Sequence, residues 1–174
     1  MINQKPNICS DYQNSFKIIW MVLIFGLLLS SVTFSQPQIP QLSRYANDLT
    51  NTIPQSELNQ INNELIKFDD ATSNQIVLLI IPTLDGYPLE MFANEVAEKN
   101  KIGTKGNDNG ILFLVVKNDR KMRIEVGYGL EGALPDALAS SIIRNDVAQY
   151  FKRDDYTSGV IAGLSGIIFR RFCF

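Results

Sequence analysis

Hydrophobic and polar positions change period several times along the chain, and each change marks an element. Leu58, Ile61, Leu65 and Phe68 follow Pro54 at helical spacing with polar residues between them, which predicts an amphipathic helix opening at the proline. Asp69 to Asn74 is a polar break. Gln75-Ile-Val-Leu-Leu-Ile-Ile81 is then apolar almost throughout, the pattern of a strand covered on both faces and therefore central in its sheet. Pro88 opens a second helix, with Leu89, Phe92 and Val96 on one face, Ala93 and Ala97 as spacers, and an end before Gly103. Gly110-Ile-Leu-Phe-Leu-Val-Val116 repeats the buried-strand pattern. Lys121-Met-Arg-Ile-Glu-Val126 alternates apolar with charged residues, so one face is packed, one is wet, and the strand belongs near an edge. Pro135 begins a third helix with Leu138, Ile142, Val147 and Phe151 as its buried stripe. A last helix is expected from about Asp155 to Phe169, apolar at Val160, Ile161, Leu164, Ile167 and Ile168.

Strand, helix and strand in that order imply a parallel pair joined by a right-handed crossover. Asn118-Asp119-Arg120 then turns the chain back, so the alternating strand pairs antiparallel with its predecessor. The expected fold class is α/β: a three-layer α/β/α sandwich with a small mixed sheet, a parallel pair plus an antiparallel hairpin strand.

Ahead of these elements, Lys17 precedes Ile18-Ile-Trp-Met-Val-Leu-Ile-Phe-Gly-Leu-Leu-Leu29, an apolar run of twelve, followed by small residues including Thr33 and Ser35. A positive charge, a short apolar core and small residues form a signal-peptide pattern with cleavage expected near Ser35. No charged residue appears from Ile18 to Ser43, so an uncleaved anchor is the competing reading. The N-terminal residue of the protein recovered from cells distinguishes the two. The expected organisation is a leader over 1–35, an extended linker with Pro37 and Pro40 over 36–43, an α/β domain over 44–170 and a tail over 171–174. The domain, roughly 130 of the 174 residues, is the usual size for one hydrophobic core.

The whole chain carries a formal net charge of −2, and the leader, with Lys5, Asp11 and Lys17, holds +1 of it, so the remainder carries −3. The basic residues are scattered singly apart from Arg170-Arg171, which argues against nucleic acid as a partner. There is no histidine, which removes Ser-His-Asp and Cys-His nucleophiles and every His-ligated zinc site. Cys9 lies in the leader and Cys173 is penultimate, so a processed chain forms no internal disulfide.

Two glycine-rich, acid-bearing segments flank the hairpin: Gly106-Asn-Asp-Asn-Gly110 and Gly127-Tyr-Gly-Leu-Glu-Gly-Ala-Leu-Pro-Asp136. Antiparallel pairing sets the start of one arm beside the end of the other, so Asp108, Asn109, Glu131 and Asp136 are expected at one rim. Clustered oxygens from flexible loops suit a hard cation, Ca²⁺ first and Mg²⁺ as the alternative. The competing reading makes Asp108 and Asn109 an Asx turn, Glu131 a solvated side chain and Asp136 a partner of a helix dipole. Gly127-Tyr-Gly-Leu-Glu-Gly132 also fits G-x-G-x-x-G, but Glu131 would lie where pyrophosphate belongs and Pro135 starts the helix too late, so no dinucleotide is expected. Gly163-Leu-Ser-Gly-Ile167 misses the G-x-S-x-G elbow by its last glycine and reads as helix packing through small residues. A second acidic set, Asp85 and Asp119 with Asp48 before the first helix, falls at the opposite rim, at the carboxyl ends of the parallel strands. Asp85-Gly86 and Asn118-Asp119 also read as ordinary turns.

Ala46-Asn-Asp-Leu-Thr-Asn, Ser73-Asn-Gln-Ile-Val, Gly106-Asn-Asp-Asn-Gly-Ile-Leu, Arg123-Ile-Glu-Val-Gly-Tyr-Gly-Leu-Glu-Gly and Leu134-Pro-Asp together resemble the TPM domain family. The name joins a thylakoid lumen phosphatase-like protein, a photosystem II repair protein and a modulator of an acetylcholine receptor. The resemblance runs from about Leu42 to Phe169. It implies an extracytoplasmic α/β/α domain, often membrane-tethered, that binds calcium and in some members is a weak acid phosphatase. Asp48, Asp108, Asn109, Glu131 and Asp136 fall on acidic or amide positions of the family pattern, which makes them the expected metal ligands. Many members continue into transmembrane helices or a glycine-rich tail, where this sequence ends at Arg170-Arg-Phe-Cys-Phe174.

Three functions follow as expectations. The first is an exported, non-catalytic calcium-binding domain, periplasmic, extracellular or membrane-tethered, assisting assembly, repair or regulation of envelope or membrane proteins. The second is a weak metal-assisted phosphatase in which Asp108 and Glu131 would carry the chemistry. The third is a pure protein-interaction module docking through the apolar last helix.

Overall fold

The computed structural model describes residues 37–172 other than Lys105, together with Met21. The expected leader with Cys9, and Cys173 in the tail, lie outside the described residues. Four strands, β1 (Ala46–Asp48), β2 (Gln75–Ile81), β3 (Gly110–Val116) and β4 (Lys121–Val126), form one sheet in the order β1-β2-β3-β4. The first three run parallel and β4 returns antiparallel on β3. The helices are α1 (Gln55–Thr72), α2 (Leu89–Lys99), α3 (Asp136–Ile142), α4 (Ala148–Phe151) and α5 (Tyr156–Phe172).

Side chains alternate across a strand, so the unbroken apolar runs of β2 and β3 supply two cores. Ile76, Leu78 and Ile80, with Ile111, Phe113 and Val115, pack against α1, α3 and α5. Val77, Leu79 and Ile81, with Leu112, Leu114 and Val116, face Phe92, Ala93 and Val96 of α2. The expected three-layer α/β/α sandwich results, with β2 and β3 interior and β4 at an edge.

Strand β1 is an addition to the expected sheet. It is three residues long and only Ala46 is buried, too little for a period to show. Its hydrogen bonding explains why it holds. On one side β1 pairs with β2; at its start the buried Asn62 of α1 presents Oδ1 to the backbone N–H groups of Tyr45 at 3.0 Å and Ala46 at 3.2 Å. The segment expected to be a linker is docked as well. Ile39 and Leu42 join the α2-side core, Leu42 N donates to Asn100 Oδ1 at 2.7 Å and Asn100 Nδ2 donates to Pro40 O at 3.1 Å.

The third predicted helix is broken by a π-helical turn, Ile143–Val147, between α3 and α4. Ile142 and Val147 are five positions apart and both fully buried. Five α-helical steps would rotate them about 140° apart. A wider turn brings both back to one face. The last helix is less buried than its composition suggests, because Ile161 is 48% and Phe169 64% exposed beside a groove against α1. Among the described residues no helix is long and apolar enough to cross a membrane.

Candidate functional site

The β3–β4 hairpin brings the two glycine-rich loops together. Ile111 pairs with Val126, so the residues preceding β3 lie beside those following β4. Gly127 N donates to Gly110 O at 2.8 Å and Gly129 N to Asp108 O at 3.1 Å. Gly127 and Gly129 lie so close to the 106–110 loop that a Cβ on either would collide with the carbonyl oxygens of Asp108 and Asn107. The contact is therefore backbone to backbone, and only glycine permits it. Leu130 and Leu134, both buried, anchor the second loop to the core, leaving Glu131 exposed at the end of the short 3-10 turn Tyr128–Leu130.

Asp108 has φ of 47° in the left-handed region, which Asp tolerates better than most residues, and its side chain is exposed. It lines a groove of about 830 Å³ with Glu98, Lys101, Glu125 and Tyr128. Glu125 in that groove is held by Arg123, Nε to Oε2 at 2.5 Å. Among the described residues no three Asp, Glu or Cys side chains are grouped closely enough to hold a metal ion. A cation at this rim would draw on Asp108, Glu131, loop carbonyls and water. That donor set fits a hard ion bound in the weak range.

The other expected ligands have different partners. The amide of Asn109 is buried, with Oδ1 accepting from Thr104 N at 2.7 Å and Nδ2 donating to the carbonyl of Ser73, so it staples the loop to the end of α1. Asp136 stands in the first turn of α3 and lines a separate groove with Glu90, Arg123 and Arg144 along the outer edge of β4. Asp48 is not at this rim. It pairs with Ile80 while Gly110 pairs with Gln75, five strand steps or about 17 Å away at about 3.3 Å per residue. Its carboxylate accepts from Thr50 N, Thr50 Oγ1, Thr52 N and Ile53 N at 2.6–2.8 Å and so closes the loop leading into α1.

At that opposite rim, Asp119 accepts from Thr83 Oγ1 at 2.8 Å and Leu84 N at 3.2 Å. Asp85 sits in the same turn, its N–H donating to Thr83 Oγ1 at 3.0 Å and its φ at 49°. These bonds clamp the β2–α2 turn to the hairpin turn. Among the described residues two tyrosines have perturbed hydroxyls. Tyr45 donates to Asp69 Oδ2 at 2.6 Å, and that bond, with burial and the carboxylate charge, raises its pKa to about 12. The bond from Tyr87 to Glu95 Oε1, 2.7 Å, raises its pKa in the same direction.

Sequence reasoning missed one feature of the second rim, a cavity between the hairpin and α5 that Lys117, Arg120 and Lys152 share. Lys117 and Arg120 bracket the β3–β4 turn while Lys152 follows α4, so the set joins two turns distant in sequence.

A sheet of three parallel strands and one antiparallel edge strand, with α2 on one face and the remaining helices on the other, defines a small α/β/α sandwich domain. The chain belongs to the TPM domain family, whose pattern matches residues 46–169. The N-terminal domain of a P. gingivalis protein is 30% identical, with a TM-score of 0.66 over 71% of this chain and 79% of that one. The N-terminal domain of the cg2496 protein from Corynebacterium glutamicum shares the fold at 17% identity and a TM-score of 0.56, over 78% of this chain and 85% of that one. The BA42 protein from the psychrophilic bacterium Bizionia argentinensis shares it at 18% identity and a TM-score of 0.60, over 71% and 83% of the two chains. No curated protein matches the chain.

Proposed function

We propose that this chain is an exported, non-catalytic TPM domain that binds a divalent cation, Ca²⁺ first, where the loops 106–110 and 127–131 meet, and that it assists other envelope proteins. The carrying observation is the bond from Gly129 N to Asp108 O, which keeps Asp108 and the loop bearing Glu131 on one rim. The leader pattern supports export. Two exposed carboxylates and loop carbonyls suit Ca²⁺ rather than a softer ion, at a Kd of about 10⁻³ M, the range of extracellular modules.

Titration of the purified chain with Ca²⁺ while following thermal melting tests this reading. At about 10 mM Ca²⁺ and a Kd of about 10⁻³ M, linkage stabilises the native state by about 1.4 kcal/mol, a rise of roughly 4–6 °C. Asp108→Asn and Glu131→Gln should each remove most of the rise. An unchanged midpoint in the parent chain would refute the cation site. The phosphatase alternative uses the same two carboxylates. Hydrolysis of a phosphate ester lost in both Asp108→Ala and Glu131→Ala, with the fold retained, would replace the non-catalytic reading with an enzymatic one.

A further inference from the structure

The carboxyl ends of parallel strands are where open α/β sheets usually take ligands, and in this domain that end carries a second, unassigned cavity. It measures about 350 Å³ and lies between the β3–β4 turn, α4 and the start of α5. That is the lower end of the range for small-molecule sites. Its walls are apolar, from Val115, Met122, Ala148, Phe151 and Tyr156. Its charged groups are Lys117, Arg120 and Lys152 against the single carboxylate of Asp154, a formal surplus of +2.

None of these cations is neutralised by an ion pair within the described residues. Lys117 Nζ lies 5.4 Å from the centroid of the Tyr156 ring, a cation–π contact with one wall of the cavity. Arg120 and Asp154 occupy left-handed backbone conformations, φ 53° and 58°, each closing a turn at the mouth: Arg120 N donates to Lys117 O at 3.2 Å and Asp154 N to Phe151 O at 3.1 Å. Two fixed turns thus bring three cations to the lining of one apolar hollow. Like charges repel, and gathering three of them against a single carboxylate favours an anionic occupant.

We propose that this cavity binds a small phosphate monoester with an apolar body, its dianionic head between Lys117, Arg120 and Lys152 and its ring or short chain against Met122 and Phe151. A dianion matches the surplus of +2, and Arg120 offers the planar fork that binds phosphate oxygens in pairs. The site is independent of the cation rim, which lies at the other end of the strands. The same head-and-body chemistry exists in a free ester and in an anionic lipid, and the test separates them.

Phenyl phosphate, inorganic phosphate and vesicles containing phosphatidic acid are each titrated against the full chain, with EDTA present so that no divalent cation takes part. Calorimetry reads the first two and co-sedimentation the third. Phenyl phosphate is expected to bind at least about tenfold more tightly than inorganic phosphate, one decade being the least that burying a ring should add. Lys117→Gln, Arg120→Gln and Lys152→Gln should each weaken it several-fold, and Lys152→Arg should retain it. Circular dichroism checks that each variant is folded, and surface changes of this kind cost little stability. Co-sedimentation that phenyl phosphate competes away, and that the Gln variants lose, would identify lipid as a second source of the same head group. Equal affinity for the two phosphates, no binding, or unchanged binding in the folded Gln variants would overturn the proposal. So would vesicle binding alone.

Discussion

Among the described residues the two buried polar side chains are Asn62 and Asn109, and each takes the place of a missing strand or turn partner. Asn62 is the clearer case, because its single carbonyl serves two adjacent N–H groups at the start of β1. Removing a buried acceptor costs more than the bond it made, since the donors are left without water or protein partners. Asn62→Ala is therefore expected to lower the unfolding free energy by about 1–3 kcal/mol in urea denaturation. Asn62→Leu, which restores volume but not the acceptor, should also be destabilised. A leucine variant as stable as the parent would show that packing, not hydrogen bonding, is what Asn62 supplies. Asn109 follows the same logic at the other rim. An amide with both ends taken by backbone shapes the 106–110 loop whether or not an ion is bound.

At the scale of elements, α5 packs in the core through Val160, Leu164 and Ile167, and Gly163 lets it approach the sheet closely at Phe113. A Cβ on Gly163 would lie 2.7 Å from the Phe113 ring and 2.9 Å from Val147, and both neighbours are fully buried. Helix propensity alone makes Gly163→Ala stabilising by about 1 kcal/mol. Overpacking a rigid core opposes this by typically about 1–3 kcal/mol, and it should win because neither neighbour has room to retreat. Thermal melting of Gly163→Ala should show a lower midpoint. Gly132→Ala, where a Cβ would meet nothing within 4 Å, serves as the control and should change little. The π turn reflects the same demand for close packing. A stripe spaced Leu138, Ile142, Val147, Phe151 fits one face only if the helix widens between its second and third members.

For the whole molecule, burial is concentrated in β2 and β3, covered on both faces, while β1 is a three-residue edge and the 37–43 arm is held by a few polar bonds to α2. Local opening follows the number of contacts that must break. Amide exchange should therefore be slowest in Ile76–Ile80 and Ile111–Val115, and much faster in Ala46–Asp48. Equal protection of β1 and β2 would contradict this ordering. The two rims of the sheet also separate the candidate chemistry. Asp108 and Glu131 belong to loops at the amino end of β3. Lys117 and Arg120 follow its carboxyl end.

Much of this arrangement is legible along the chain because it rests on nearest-neighbour periodicity. Continuous apolar runs in Gln75–Ile81 and Gly110–Val116 require cover on both faces, alternation in Lys121–Val126 requires an edge, and the short turn at Asn118–Arg120 leaves antiparallel return as the simple connection. From these the sandwich, and the meeting of the two glycine loops, follow without coordinates. What tertiary structure alone decided is everything that depends on partners distant in sequence. Strand β1 exists because Asn62 and β2 supply its hydrogen bonds. The carboxylate of Asp48 is turned inward to cap its own loop, and register sets it about 17 Å from Asp108. Lys117, Arg120 and Lys152 share a cavity only because the hairpin turn and the end of α4 are folded against each other. Periodicity is written residue by residue, whereas a site built from several loops is a property of how the loops are brought together.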